Sequence, residues 1–229
     1  MRRIPNGGRA ACPACVGAVL LLVSAPALSP DSVVLAQTGA ISGMVTLEAL
    51  PPRRTVNRYA GGRAGSEEVQ MLPVVVYLVG GVAGSSAPPA TAEMVQRDTA
   101  FVPAAAVVGV GGSVDFPNDD SFFHNVFSYS STQRFDLGRY PQGQSKAVRF
   151  DEPGIVSVFC EVHDKMRGVI IVTENPHHAF VGADGSFRIG GVPAGEHRVA
   201  FWSADHEPVE RTVTVTAGGT ARVEVELRR

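Results

Sequence analysis

Hydrophobic and β-branched residues recur in short runs along this chain, and Gly, Pro, Asn and Asp separate the runs. Within many runs apolar and polar positions alternate, which is the two-residue period of a half-buried strand. Many short strands punctuated by turn residues predict an all-β protein built from β-sandwiches. The predicted strands cover residues 41–47, 74–79, 90–96, 106–110, 113–116, 125–129, 147–150, 155–159, 169–173, 187–189, 197–201, 209–216 and 221–227.

The first 36 residues have the layout of an export signal. Three arginines precede an apolar run at residues 16–23 (VGAVLLLV), and small residues and prolines follow it. This order is typical of a secretory signal peptide, and the apolar run is short for a membrane span. We predict a signal at residues 1–36, cleaved after Ala27 or Ala36, and a periplasmic or otherwise exported protein. An uncleaved signal acting as a membrane anchor is the alternative.

Composition and cysteine count narrow the function classes. The 229 residues are 45% hydrophobic and 18% charged, which excludes a disordered chain. A net charge of −2 gives no electrostatic case for nucleic-acid binding. Cys12 and Cys15 fall in the predicted signal, where we interpret their spacing as incidental, so Cys160 is left alone. A lone thiol in an oxidising compartment is predicted to be buried or bound to a ligand.

The segment at residues 155–172 (IVSVFCEVHDKMRGVIIV) carries the main chemical signal. Cys160 shares a strand face with two valines, so its thiol points toward a core. His163 and Met166 follow at intervals of three residues, and a tight loop would turn all three side chains toward one point. Upstream, His124 lies at the junction of two predicted strands in FPNDDSFFHNVFS.

Two imidazoles, a thiolate and a thioether select copper. Two His and one Cys in a plane, with a weak axial Met, form the blue-copper electron-transfer site. The alternatives are an inert buried thiol with unrelated neighbours, a structural zinc site, and a cysteine nucleophile with His163 as its base. Thioether is a poor zinc ligand, and no local pattern indicates a substrate pocket. Asp119 and Asp120 are interpreted as turn residues, and His177 and His178 as a surface pair.

Residues 102–173 resemble a cupredoxin of the plastocyanin and amicyanin type. The resemblance rests on FVP at 101–103, VGGSVDFPN at 110–118, HN at 124–125 and the C-x2-H-x2-M loop, whose spacing is the short one of amicyanin. With HNVFS and FDLG, the pattern is also similar to the cupredoxin-containing proteins labelled methylamine utilization proteins. The prolines common in the family's ligand loop are missing here, which leaves backbone donors near the sulfur.

The resemblance implies a Greek-key β-sandwich with one copper ion held by His124, Cys160, His163 and Met166. It also implies that Asn125 braces the ligand loops through hydrogen bonds. The neighbouring phenylalanines are interpreted as core packing that excludes solvent.

The C-terminal segment resembles a carboxypeptidase regulatory-like β-sandwich, through its DGSF and GVPAG turns and paired strands. About fifty residues hold only four strands there, which would leave a sheet face and edges uncovered. The strands near residues 41–47 and 74–79 look like that family's opening strands. We therefore predict a cupredoxin at 92–173 inserted into a sandwich made of 38–91 and 174–229. Residues 53–68 and 80–92 are predicted to be surface loop and linker.

Together these features predict an exported electron carrier, not an enzyme, with a redox protein as partner. Copper storage, sensing or delivery on the same four ligands is one alternative. A metal-free interaction module with a degenerate site is another. Nucleic acid is not an expected partner, and contact with a membrane is expected only through an uncleaved signal.

Overall fold

A computed structural model describes residues 37–49 and 72–229 of the chain. The predicted signal at 1–36 and the predicted loop at 53–68 lie outside the described residues. The all-β prediction is confirmed. In chain order the described strands are β1 (Thr38–Leu47), β2 (Val75–Leu78), β3 (Thr91–Glu93), β4 (Val95–Arg97), β5 (Ala100–Val102), β6 (Ala105–Gly109), β7 (Gly112–Pro117), β8 (His124–Tyr129), β9 (Arg134–Tyr140), β10 (Ser145–Phe150), β11 (Gly154–Phe159), β12 (Arg167–Thr173), β13 (His178–Phe180), β14 (Ser186–Pro193), β15 (Gly195–Trp202), β16 (Val209–Val215) and β17 (Thr220–Leu227).

Strands β3 to β12 form what we call the middle sandwich. One sheet has the order β10-β7-β3 and the other β6-β12-β11-β8-β9, while β4 and β5 form a separate hairpin. The inward positions of both sheets meet in one apolar core that includes Phe116, Phe150, Val156 and Ile170. These positions alternate with less buried ones along β7 and the end of β10, which is the period that the sequence showed.

Strands from both ends of the described chain form what we call the end sandwich. Its two sheets have the orders β14-β1-β17 and β13-β2-β15-β16. Strand β1 pairs antiparallel with β14 and parallel with β17, and β2 pairs with β13 and β15. Strand β1 thus belongs to a sheet whose other strands come more than a hundred residues later in the chain.

Strand β12 is buried on both of its faces. Ile170 and Val172 belong to the core of the middle sandwich, whereas Val169 and Ile171 pack in a separate cluster with Trp202 of the end sandwich. A strand covered on both sides has a continuous apolar sequence instead of an alternating one. The GVIIV run of β12 is of this kind.

Three strands were not predicted from the sequence. Strands β5 and β13 have three residues each, and β9 carries two arginines and a glycine on a largely exposed edge. The predicted linker at 80–92 ends earlier than expected, because β3 begins at Thr91. In the part of the chain that the structure describes, no helix has the length and apolar character needed to cross a bilayer.

Substitution of Gly43, at the centre of β1, tests the pairing of β1 with β17. A Cβ at Gly43 would overlap the carbonyl oxygen of Val223 on β17, whereas a Cβ at Gly190 on β14 would meet open space. We expect Gly43→Ala to lower the free energy of unfolding by about 1–3 kcal/mol, because it forces two paired backbones apart. Gly190→Ala is the matched control, with an expected change within about 0.5 kcal/mol. Urea unfolding measures both, and equal midpoints for the two variants would contradict the pairing.

Candidate metal centre

The hairpin loop between β11 and β12 carries three of the four predicted ligands. Phe159 and Arg167 are paired across the two strands, so the loop is closed directly outside Cys160 and Met166. The Cys160 N–H donates to the Met166 carbonyl oxygen at 3.3 Å, and the Met166 N–H donates to the His163 carbonyl oxygen at 3.0 Å. These bonds fold the loop tightly and keep Cys160 and Met166 in the core.

The fourth predicted ligand comes from the first residue of β8. His124 is fully buried, and its Nδ1 atom lies 3.4 Å from the Cys160 sulfur and 3.3 Å from Nδ1 of His163. The candidate ligand atoms of His124, Cys160 and His163 all lie within 4.8 Å of one another. His163 is partly exposed, whereas Cys160 and Met166 are 3% and 1% exposed. The structure therefore gathers the predicted donors at one end of the middle sandwich, with His163 nearest to solvent.

Asn125 connects β8 to the ligand loop. Its Oδ1 atom accepts a hydrogen bond of 2.7 Å from the N–H of Glu161, the residue after Cys160. Asn125 is 2% exposed, so this bond is shielded from competing water. The contact holds the beginning of the ligand loop against the strand that carries His124.

Asp120 is a site residue that the sequence analysis interpreted as part of a turn. Its carboxylate accepts a hydrogen bond of 2.7 Å from Nε2 of His124. With Nε2 carrying the proton, the Nδ1 atom of His124 keeps its lone pair toward the Cys160 sulfur. A carboxylate four residues before the histidine, on a loop leading into a strand, is the sequence signal that would have found it.

The same carboxylate stabilises the turn between β4 and β5. Asp98 and Thr99 have φ angles of 54° and 59°, which are uncommon for residues with a Cβ. Their N–H groups donate to Asp120 at 2.7 Å and 3.0 Å. Burial alone would raise the pKa of Asp120, but the hydrogen bonds from Thr99, His124 and Asp98 together lower it below its ordinary value. Asp120 is therefore held as an anion beside the His124 ring.

The donor set fits a copper ion. Two imidazole nitrogens and the Cys160 sulfur face one another, and a thioether follows in the same short loop. This combination of soft and borderline ligands favours copper over zinc. The cluster resembles a type 1 copper site.

Other predicted features are placed differently. Phe122 and Phe123 are 41% and 56% exposed, so they are not core packing, and the Phe122 ring lies 5.3 Å from that of His163. His177 is 7% exposed, so the predicted surface pair is wrong for this residue. It is buried because the residues before β13 lie against the end sandwich, where burial lowers its pKa.

One comparison concerns the C-terminal segment of the chain. A family model described as a carboxypeptidase regulatory-like domain matches residues 167–228, so the resemblance of the C-terminal segment is confirmed. The match includes β12, which pairs within the middle sandwich. No curated protein matches the chain.

Solved cupredoxin structures are also similar to part of the chain. A purple cupredoxin from Nitrosopumilus maritimus is 23% identical, and the alignment covers 36% of this chain and 99% of that one at a TM-score of 0.34. A reduced amicyanin mutant is 22% identical, with 36% and 81% covered at 0.34. A Cu(I) amicyanin mutant is 18% identical, with 45% and 93% covered at 0.34. The case for the metal therefore rests on the donor geometry.

Replacing Asp120 tests whether its carboxylate supports copper binding through His124 or only stabilises the turn between β4 and β5. We expect Asp120→Asn to weaken copper binding by about 10–100-fold, because His124 loses the anion that fixes its tautomer and orientation. Competition with a copper chelator at neutral pH measures the affinity. Asp119→Asn is the matched control, since Asp119 pairs with Arg97 at the surface. Equal affinities for the two variants would show that Asp120 serves only the turn.

Proposed function

We propose that this protein is an exported type 1 copper protein that carries single electrons between redox partners. The observation that carries the proposal is the convergence of His124, Cys160 and His163, with the buried Met166 in the same loop as Cys160 and His163. When bound, copper supplies a one-electron couple between Cu(I) and Cu(II). Catalysis, if it occurs, belongs to a partner.

The rigidity of the donors supports electron transfer over copper delivery. His124 is oriented by Asp120, the beginning of the ligand loop is held by Asn125, and the loop is closed by its own backbone hydrogen bonds. Donors that keep their positions in both oxidation states need little rearrangement when an electron moves. Handing copper to an acceptor protein requires those buried bonds to open, which works against this role.

The exposed edge of the site supports contact with a protein partner. His163 is the partly exposed ligand, and Phe122, Phe123 and Val162 around it are each more than 40% exposed. Large apolar side chains beside a redox centre are suited to brief contact with a partner, because they exclude water without requiring tight ion pairing. We propose this edge as the place where electrons enter and leave.

The optical spectrum of the copper-loaded protein tests the function. We expect an intense visible band from charge transfer between the Cys160 thiolate and Cu(II), which disappears on reduction and returns on oxidation while copper stays bound. Cys160→Ser removes the thiolate and should abolish the band. A colourless protein with stoichiometric copper, or copper released in each reduction cycle, would contradict an electron carrier.

A surface variant tests whether electrons are exchanged at the exposed edge without altering the metal centre. Val162→Glu should keep the band but slow electron exchange between Cu(I) and Cu(II) copies by roughly tenfold, because it places like charges on the two contacting edges. Broadening of nuclear magnetic resonance lines in mixtures of the two forms gives the rate. An unchanged rate would place the exchange edge elsewhere.

Export is proposed from the residues at 1–36, and the lone Cys160 of the mature chain agrees with it. We expect the protein recovered from the periplasmic fraction to begin after Ala27 or Ala36. Intact mass identifies the cleavage site. A full-length mass in the cytoplasmic fraction alone would contradict export.

A further inference from the structure

The ligand loop ends on an arginine that is bound by the end sandwich. Arg167 directly follows Met166, and its guanidinium donates two hydrogen bonds to the Asp205 carboxylate, with Nη1–Oδ1 at 3.2 Å and Nη2–Oδ2 at 2.9 Å. The two side chains are only 18% and 30% exposed. Two parallel bonds between planar groups determine orientation as well as distance, which a single ion contact does not.

The loop that carries Asp205 is itself tied to the rest of the end sandwich. His206 Nε2 lies 3.0 Å from the carbonyl oxygen of Glu48, directly after β1. The N–H of Glu207 donates to the carbonyl oxygen of Arg228, directly after β17, at 2.7 Å. Asp205 is therefore presented from a loop anchored to two strand ends.

Apolar packing supports the ion pair from the side. Trp202, at the end of β15, packs with Val75 against Val169 and Ile171 of β12. The two sandwiches thus meet along β12 just beyond Arg167. A variant without the Arg167–Asp205 ion pair keeps this packing, so the effect of losing the ion pair can be measured in a folded protein.

Resting on the copper function proposed above, we propose that Arg167 and Asp205 are positioning residues, through which the end sandwich sets the place of Met166 in the metal centre. Asn125 holds the beginning of the ligand loop, and the Arg167–Asp205 pair holds its end. The beginning is held by the middle sandwich itself, whereas the end is held by the other sandwich.

The methionine is the ligand for which such support matters most. Thioether is the weakest donor of the four, so a bound copper ion would exert little pull on Met166, and the protein would have to determine the distance. The strength of the axial ligand is one of the factors that tune the reduction potential. A brace at the neighbouring residue therefore connects the end sandwich to the electronic properties of the site.

The first experiment uses the metal-free protein. Amide hydrogen exchange of Met166 and Cys160, whose N–H groups close the loop, should become ~10-fold faster in Asp205→Asn, because a charged hydrogen-bonded pair no longer holds the loop end. Glu210→Gln is the matched control, since Glu210 pairs with Arg198 on the surface of the same sandwich. The control should leave both amides unchanged.

The second experiment uses the copper-loaded protein. Asp205→Asn should shift the reduction potential and the relative intensity of the visible bands, whereas Glu210→Gln should change neither. Arg167→Met keeps the apolar stem and removes the guanidinium. If the two residues act as a pair, Asp205→Asn on the Arg167→Met background adds no further shift. Arg167→Lys keeps the charge without the fork and should restore part of the wild-type potential, which provides a test even where Asp205→Asn folds poorly.

The outcomes distinguish this proposal from the proposed function. Wild-type exchange and potential in Asp205→Asn would overturn the brace and leave the copper carrier untouched. A wild-type protein without a visible band would overturn the carrier, while faster exchange of Met166 in the metal-free variant would still support the brace. Additive shifts in the double variant would show that the two residues act separately, which also overturns the pair.

Discussion

Strand β12 serves two cores at once, and the arrangement of the site depends on this constraint. Ile170 and Val172 face the middle core while Val169 and Ile171 face the end sandwich. A strand packed on both faces has little freedom to slide or tilt, because either movement opens a cavity on one side. The ligand loop begins at the end of β11 and ends at the start of β12. Because β12 cannot move easily, Met166, the residue directly before it, is held in place as well.

Buried polar groups around the candidate metal centre are hydrogen-bonded to partners on neighbouring loops and strands. Asp120 satisfies the His124 ring and two turn amides, and Asn125 satisfies the Glu161 amide. Asn118 donates to the carbonyl oxygens of Phe122 and Tyr140, which shapes the loop leading to His124. A satisfied network of this kind rigidifies a site, whereas an unsatisfied group would cost free energy and leave alternative conformations.

The strands and three of the four donor residues were predictable because both depend on local chemistry, whereas His124, 36 residues before Cys160, was singled out by its place at a strand junction. Alternation along β7, β10 and β11 reports which side chains face a core, and the spacing of Cys160, His163 and Met166 places three ligands in one tight loop. The short strands β5 and β13 escaped notice because three residues carry too little pattern. Asp120 was missed because aspartates are common in turns, and its position four residues before His124 was not used as a signal.

The sequence by itself determined the fold class and the Cys160, His163 and Met166 donors with the metal they favour, since these follow from residue types at short spacing. Only the tertiary structure decided that Phe122 and Phe123 are exposed, that His177 is buried, and that Arg167 meets Asp205. These facts depend on contacts between segments distant in the chain, such as the meeting of β12 with the end sandwich. No local pattern encodes such contacts, because they arise only when separately folded surfaces pack against each other.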